Sequence, residues 1–215
     1  MQGVSKVLEV IIAVLAVLPV SCGRPGFEPE EGDLLFQVEG TSDFSAAIAD
    51  VTAGKDSLRY VHVAIATKKD GKIYALEASS EKGVVLTGLD EFLAESRRVN
   101  GCPGVVVKRL NTGFPVERVI ESAYSHIGEE YDWSYLPDNG KMYCSELVYE
   151  AFRDETGVPL FTASPMNFRD GNGEIPEFWI KTFEKLGEPV PEGVPGTNPC
   201  DMAREPVLTE VHRYF

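Results

Sequence analysis

Cys144 opens an apolar pattern of helical period: Cys144, Leu147, Val148, Ala151 and Phe152 share one face of a predicted helix. The turn-rich stretch Pro137-Asp138-Asn139-Gly140 precedes it, so the thiol falls in the first turn. There the helix dipole and unbonded backbone N–H groups favour a thiolate and can hold an oxyanion. Such a thiolate is a covalent nucleophile when a base stands beside it. Without one, a cysteine leading a buried stripe is an inert small hydrophobe.

The search for the base is short, because the chain has three histidines. His126 lies off the apolar face of its helix near the C-terminus, where a solvated or capping role is expected. His212 stands at the chain end, where a surface role is the default. His62 sits in Val61-His62-Val63-Ala64-Ile65-Ala66, a strand whose valines and isoleucine share one face. The histidine shares the other face with two alanines, which leave room around its ring. Asp70-Gly71 is a two-residue hairpin signal joining this strand to Ile73-Tyr74-Ala75-Leu76-Glu77-Ala78. With that turn, Lys69 pairs with Lys72, His62 faces Ser79, and Ala64 faces Glu77. Glu77 is then a diagonal neighbour of His62 on one face, about 7–8 Å away between backbones and within reach of a side-chain hydrogen bond. A one-residue slip would send it to the opposite face. Cys144, His62 and Glu77 are therefore the candidate nucleophile, base and orienting carboxylate.

The elements that must position them form an α+β domain. A strand follows Gly32-Asp33, and Ser42 or Asp43 caps a short helix through Ala46, Ala47, Ile48 and Val51. After the hairpin come a strand near Val84-Val85-Leu86, a short helix from Leu89 to Ala94 and a valine-rich strand from Gly104 to Leu110. A helix led by Pro115 and ended by Gly128 follows. The Cys144 helix is expected to run to about Gly157-Val158-Pro159. A last helix spans Pro176 to Leu186, and a proline-rich connection runs on to Pro199. The pattern predicts one meandering antiparallel sheet packed by helices.

The 215-residue chain carries a net charge of −14, spread along its length. That surface repels polyanions, so nucleic acid is not an expected partner. Residues 1–21 read as a signal peptide: Lys6 is its positive region, and Val10 to Val20 is an apolar core too short to span a membrane. Cys22 directly after it resembles a bacterial lipoprotein cleavage site, which would make Cys22 an acylated anchor; an ordinary secretion leader is the alternative. Residues 22–31 read as a tether and 32–215 as the domain. Cys102 and Cys200 are then either a disulfide or two free buried thiols. No His-Glu-x-x-His, Cys-x-x-Cys, Gly-x-Gly-x-x-Gly or phosphate-binding lysine motif is present, so neither a metal nor a nucleotide cofactor is expected. Asp170-Gly171-Asn172-Gly173 reads as a surface turn.

With these residues assembled, the chain resembles the permuted papain-like amidases, the YiiX-like branch of the NlpC-type cysteine hydrolases. The matching features are Gly32-Asp33-Leu34-Leu35-Phe36, His62 in a strand, Glu77, Tyr131-Asp132, and Tyr143-Cys144-Ser145-Glu146-Leu147. His62 precedes Cys144, the order that marks the permuted branch. The resemblance implies a circularly permuted papain-like fold and a Cys144–His62–Glu77 triad. It implies an enzyme that cleaves an amide, with cell-wall peptides the leading substrate class, and the leader places it as exported to the bacterial cell envelope. Tyr131, Asp132 and Tyr143 would border the cleft. Two other readings stay open: acyl transfer or hydrolysis on a lipid or thioester with the same triad, and a non-catalytic binding lipoprotein.

Overall fold

The computed structural model describes residues 22, 26–52 and 58–215. In chain order the elements are β1 (Leu34–Val38), α1 (Asp43–Thr52), β2 (Tyr60–Lys69), β3 (Lys72–Ser79), β4 (Gly83–Gly88), α2 (Leu89–Glu95), β5 (Arg98–Val99), β6 (Cys102–Pro103), β7 (Val105–Leu110), α3 (Val116–Ser125), α4 (Cys144–Ala151), β8 (Ser164–Pro165), α5 (Glu177–Leu186), β9 (Pro195–Gly196), α6 (Pro199–Met202) and β10 (Leu208–Arg213). Six strands form one antiparallel sheet in the order β10-β7-β1-β2-β3-β4, as the sequence pattern predicts.

The hairpin register is the predicted one. Lys69 pairs with Lys72 and Ile65 with Leu76, while Asp70 (φ 51°) and Gly71 (φ 74°) supply the two positive φ angles of a type I′ turn. Strand parity sorts the core into two layers. Val61, Val63 and Ile65 lie with Leu34, Phe36 and the buried face of α4 in the larger cluster. Ala64, Ala66 and Ala75 face the smaller one with Leu35 and Phe92 of α2. Gly83 is required where β4 begins: its φ is 71°, and a Cβ there would stand 2.2 Å from the Glu129 carbonyl oxygen.

The predicted stripe of α4 is buried throughout, Leu147, Val148 and Phe152 completely. The helix ends at Ala151, earlier than the sequence pattern suggests. Phe152 leaves helical geometry (φ −93°, ψ 58°), and the Asp154 carboxylate accepts the Thr156 and Val158 N–H groups to build a turn instead.

The predicted signal peptide, residues 1–21, lies outside the described residues. Two expectations that follow it are corrected. Cys22 is joined to Cys102 by a disulfide, so its sulfur is not available for a lipid thioether and Cys102 does not pair with Cys200. Cys200 is a free, fully buried thiol that donates to the Tyr60 carbonyl at 3.2 Å and holds α6 against β2. The segment read as a tether is bonded to the sheet along its described part. Glu30 meets Arg109 at 2.6 Å and Glu31 accepts from Thr67 at 2.7 Å, while Phe27 stacks on His212 at 4.0 Å between centroids. His212 is accordingly buried rather than a surface residue. His126 is the C-cap of α3, with its ring against Glu129 at 3.1 Å.

Candidate active site

The site is assembled where the N-terminus of α4 meets β2 and β3. Cys144 is the first residue of α4, after an extended N-cap at Tyr143 (φ −95°, ψ 167°). Its backbone N–H and that of Ser145 lie in the first turn, where a helix has no internal acceptors for them. Glu146 turns back so that its carboxyl accepts the Tyr143 N–H at 3.3 Å. Burial pushes the Glu146 carboxyl up to about 8, against the pull of that N–H. At neutral pH it is therefore mostly an uncharged acid, and it does not compete with a thiolate for the dipole.

His62 donates from Nε2 to the Glu77 carboxylate at 2.6 Å, the diagonal contact predicted from the hairpin. Cys144, at the head of α4, stands close enough to the same imidazole to raise its pKa. With Nε2 committed to Glu77, Nδ1 is the nitrogen left for the thiol. Burial alone would lower the imidazole pKa, but the hydrogen bonds and charges of Cys144 and Glu77 outweigh it and raise it to about 10. Glu77 is 5% exposed. Burial would raise its pKa, yet its bond and charge contact with His62, helped by Thr87, carry it below the ordinary carboxylate value.

A β-bulge adjoins His62 in β2: Gln37 pairs with His62 and Val38 pairs with Tyr60, so Tyr60 and Val61 together oppose one residue. Phe92 flanks the imidazole at 6.0 Å, and Gln37, the cross-strand neighbour, is held by the Phe92 carbonyl.

Of the predicted cleft residues, Tyr131 and Tyr143 line a cavity together with Cys144. The Tyr143 hydroxyl also accepts the Thr197 N–H at 3.1 Å. Asp132 does not reach that cavity. It is fully buried and its two oxygens accept from the N–H groups of Ser134 and Leu136, so it shapes the loop before α4. Two contributions escaped the sequence reading. Thr87 donates to the second Glu77 oxygen at 2.5 Å; since Glu77 pairs with Val85, Thr87 is the next diagonal on that face, and carrying the register one strand further finds it. The C-terminal segment supplies Phe168, Trp179 and Thr197 to the cavity wall, and no local signal marks them. Among the described residues, no three His, Cys, Asp or Glu side chains are grouped as a set of metal ligands.

A family model described as the permuted papain-like amidase enzyme, YaeF/YiiX, C92 family matches residues 28–212. The uncharacterized protein YiiX of Escherichia coli (strain K12) is 25% identical over 202 residues, covering 92% of this chain and 94% of that protein. A crystal structure described as metalloprotein yiiX from Escherichia coli O157:H7 superposes with a TM-score of 0.69 at 26% identity, covering 87% of this chain and 98% of that one.

Proposed function

The chain belongs to the permuted papain-like amidases, and from that premise we propose that it hydrolyses an amide bond through a thioacyl-enzyme on Cys144, with His62 as base and acid and Glu77 as its orienting partner. The observation that carries this reading is the pairing of His62 with the buried Glu77 carboxylate at 2.6 Å, in the sheet region against which the helix headed by Cys144 packs.

The thiol proton already rests on His62, whose imidazole stays protonated up to about 10, and the Cys144 sulfur attacks the amide carbonyl carbon. The oxyanion that forms lies against the N–H groups at the start of α4; one well-aimed donor of this kind is worth about 2.7–4 kcal/mol. The imidazolium then protonates the nitrogen, the C–N bond breaks and the amine leaves. Water attacks the thioester with His62 as base, releasing a carboxylic acid and restoring the thiol. Glu77 holds the ring orientation and stabilises the imidazolium. The related structure is described as a metalloprotein, but the donor sets among the described residues do not form a ligand site, so no step is assigned to a metal.

The Cys22–Cys102 disulfide supports an oxidising compartment, in keeping with export to the cell envelope. Cell-wall peptides are amides within reach there. The test is intact-mass spectrometry of the full chain quenched during turnover of acyl amides. An acyl adduct on Cys144 that disappears in Cys144→Ala and accumulates at least a hundredfold more slowly in His62→Ala is the expected result. An adduct formed at the wild-type rate without His62 would overturn the assignment of the base.

A further inference from the structure

Glu146 is a buried carboxyl two residues after Cys144 in the first turn of α4, and no step of the hydrolysis uses it. Its side chain reaches back to accept the Tyr143 N–H at 3.3 Å. It bonds neither the Cys144 nor the Ser145 N–H, so both stay open toward an oxyanion. Among the described residues no Lys, Arg or His is bonded to this carboxyl. The charged groups that act on it most are themselves acidic: Asp132 and Asp138 from the preceding loop, and Glu150 one turn further along α4. Asp132 is fully buried and bonded to the Ser134 and Leu136 N–H groups. Glu150 is paired with Arg153 at 2.6 Å, and burial keeps the neighbouring Tyr143 phenol uncharged.

A carboxyl that is buried, without a cation and ringed by acids holds its proton to about 8. The neutral form therefore holds the Tyr143 N–H through neutral pH, and the ionised form replaces it in mildly alkaline solution. During acylation negative charge gathers on the Cys144 sulfur and then on the oxyanion, both at this helix end. An ionised Glu146 draws on the same positive end of the helix and repels that charge. Resting on the Cys144 hydrolase reading above, we propose that Glu146 is a positioning residue: its uncharged carboxyl fixes the N-cap behind the nucleophile, and its ionisation slows acylation.

The experiment follows acylation of the full chain by p-nitrophenyl acetate from about pH 6 to about pH 9.5, with Cys144→Ala as the blank. The sulfur–carbon bond forms, the ester C–O bond breaks and p-nitrophenolate leaves. Expected is a wild-type rate that drops as pH passes about 8. Glu146→Gln keeps an acceptor for the Tyr143 N–H and cannot ionise. Its rate relative to wild type is about one at the acid end and rises about five- to thirtyfold at the alkaline end, the size of one charge at a partly buried helix terminus. Glu146→Ala lacks the acceptor and is slower than Glu146→Gln at every pH. A Gln-to-wild-type ratio that stays constant with pH, or a wild-type rate with no drop near pH 8, overturns the charge effect. Equal rates in the Ala and Gln variants overturn the positioning role. Each of these results leaves acylation of Cys144 standing, whereas the absence of any acetyl adduct on Cys144 in mass spectra refutes the inference and the hydrolase reading together.

Discussion

Thr87→Val isolates the support of the Glu77 carboxylate from the carboxylate itself. Thr87 is 3% exposed and spends its hydroxyl on Glu77, whose other oxygen holds His62. Valine keeps the shape and deletes the donor, so one oxygen of a buried charge is left unpaired. A hydrogen bond to a charged group contributes about 1.5–3 kcal/mol, which lowers the melting temperature of a domain this size by about 3–12 °C. The loss falls on the ionised form, so the Glu77 carboxyl moves up from its depressed value. In the wild type the stability Glu77 contributes is present above the unfolded pKa of 4.5 and is lost as pH falls through its lower folded value. In the variant that loss begins at higher pH. Urea unfolding of both proteins from pH 3 to 7, read together with the acid limb of kcat/KM, measures the two effects at once. A purely structural role would lower stability equally at every pH. Unchanged stability at pH 7, or a loss of constant size across the range, refutes the argument.

Glu77→Gln removes one of the two groups that hold the His62 pKa up to about 10, while the burial that lowers it remains. In the wild type the stability contributed by His62 is complete below its unfolded pKa of 6.5 and is lost as pH rises through about 10. The variant loses it at lower pH, visible in the NMR titration of the ring, and its kcat/KM falls about a hundredfold; an unmoved titration would show that Glu77 does not set the charge of His62. Leu147→Ala in the buried stripe of α4 costs about 2–5 kcal/mol in urea unfolding, and a smaller loss would mean that the stripe collapses around the gap. Cys102→Ser opens a disulfide spanning 80 residues, worth about 4.5 kcal/mol by chain entropy. Its melting temperature falls below that of the oxidised wild type, and the gap closes in reductant; equal values without reductant would show that the bridge does not constrain the unfolded chain.

Much of the site was legible because its signals are local. The period of Cys144, Leu147, Val148 and Ala151 announces a helix with a thiol at its head, since buried positions on a helix repeat every turn. Asp70-Gly71 sets the hairpin register, because only residues tolerant of positive φ make that turn. Register and parity together bring Glu77 beside His62. Thr87 belongs to the same logic one strand further on. The misplaced end of α4 shows where local signals compete: the pattern carries the helix on, and the Asp154 side chain captures the backbone first.

Sequence alone was enough for the helix with Cys144 at its head, the hairpin that sets His62 beside Glu77, and the antiparallel sheet. Each follows from periodicity and turn chemistry acting over a few residues. Tertiary structure alone decided three further things. A bulge sets Tyr60 and Val61 together opposite Val38, next to His62. The disulfide takes Cys22 to Cys102 across 80 residues. Residues from Phe168 to Thr197 come back to wall an apolar cavity against Cys144. These depend on which distant surfaces exclude water together. That is a property of the whole packed chain, and no short stretch of residues carries it.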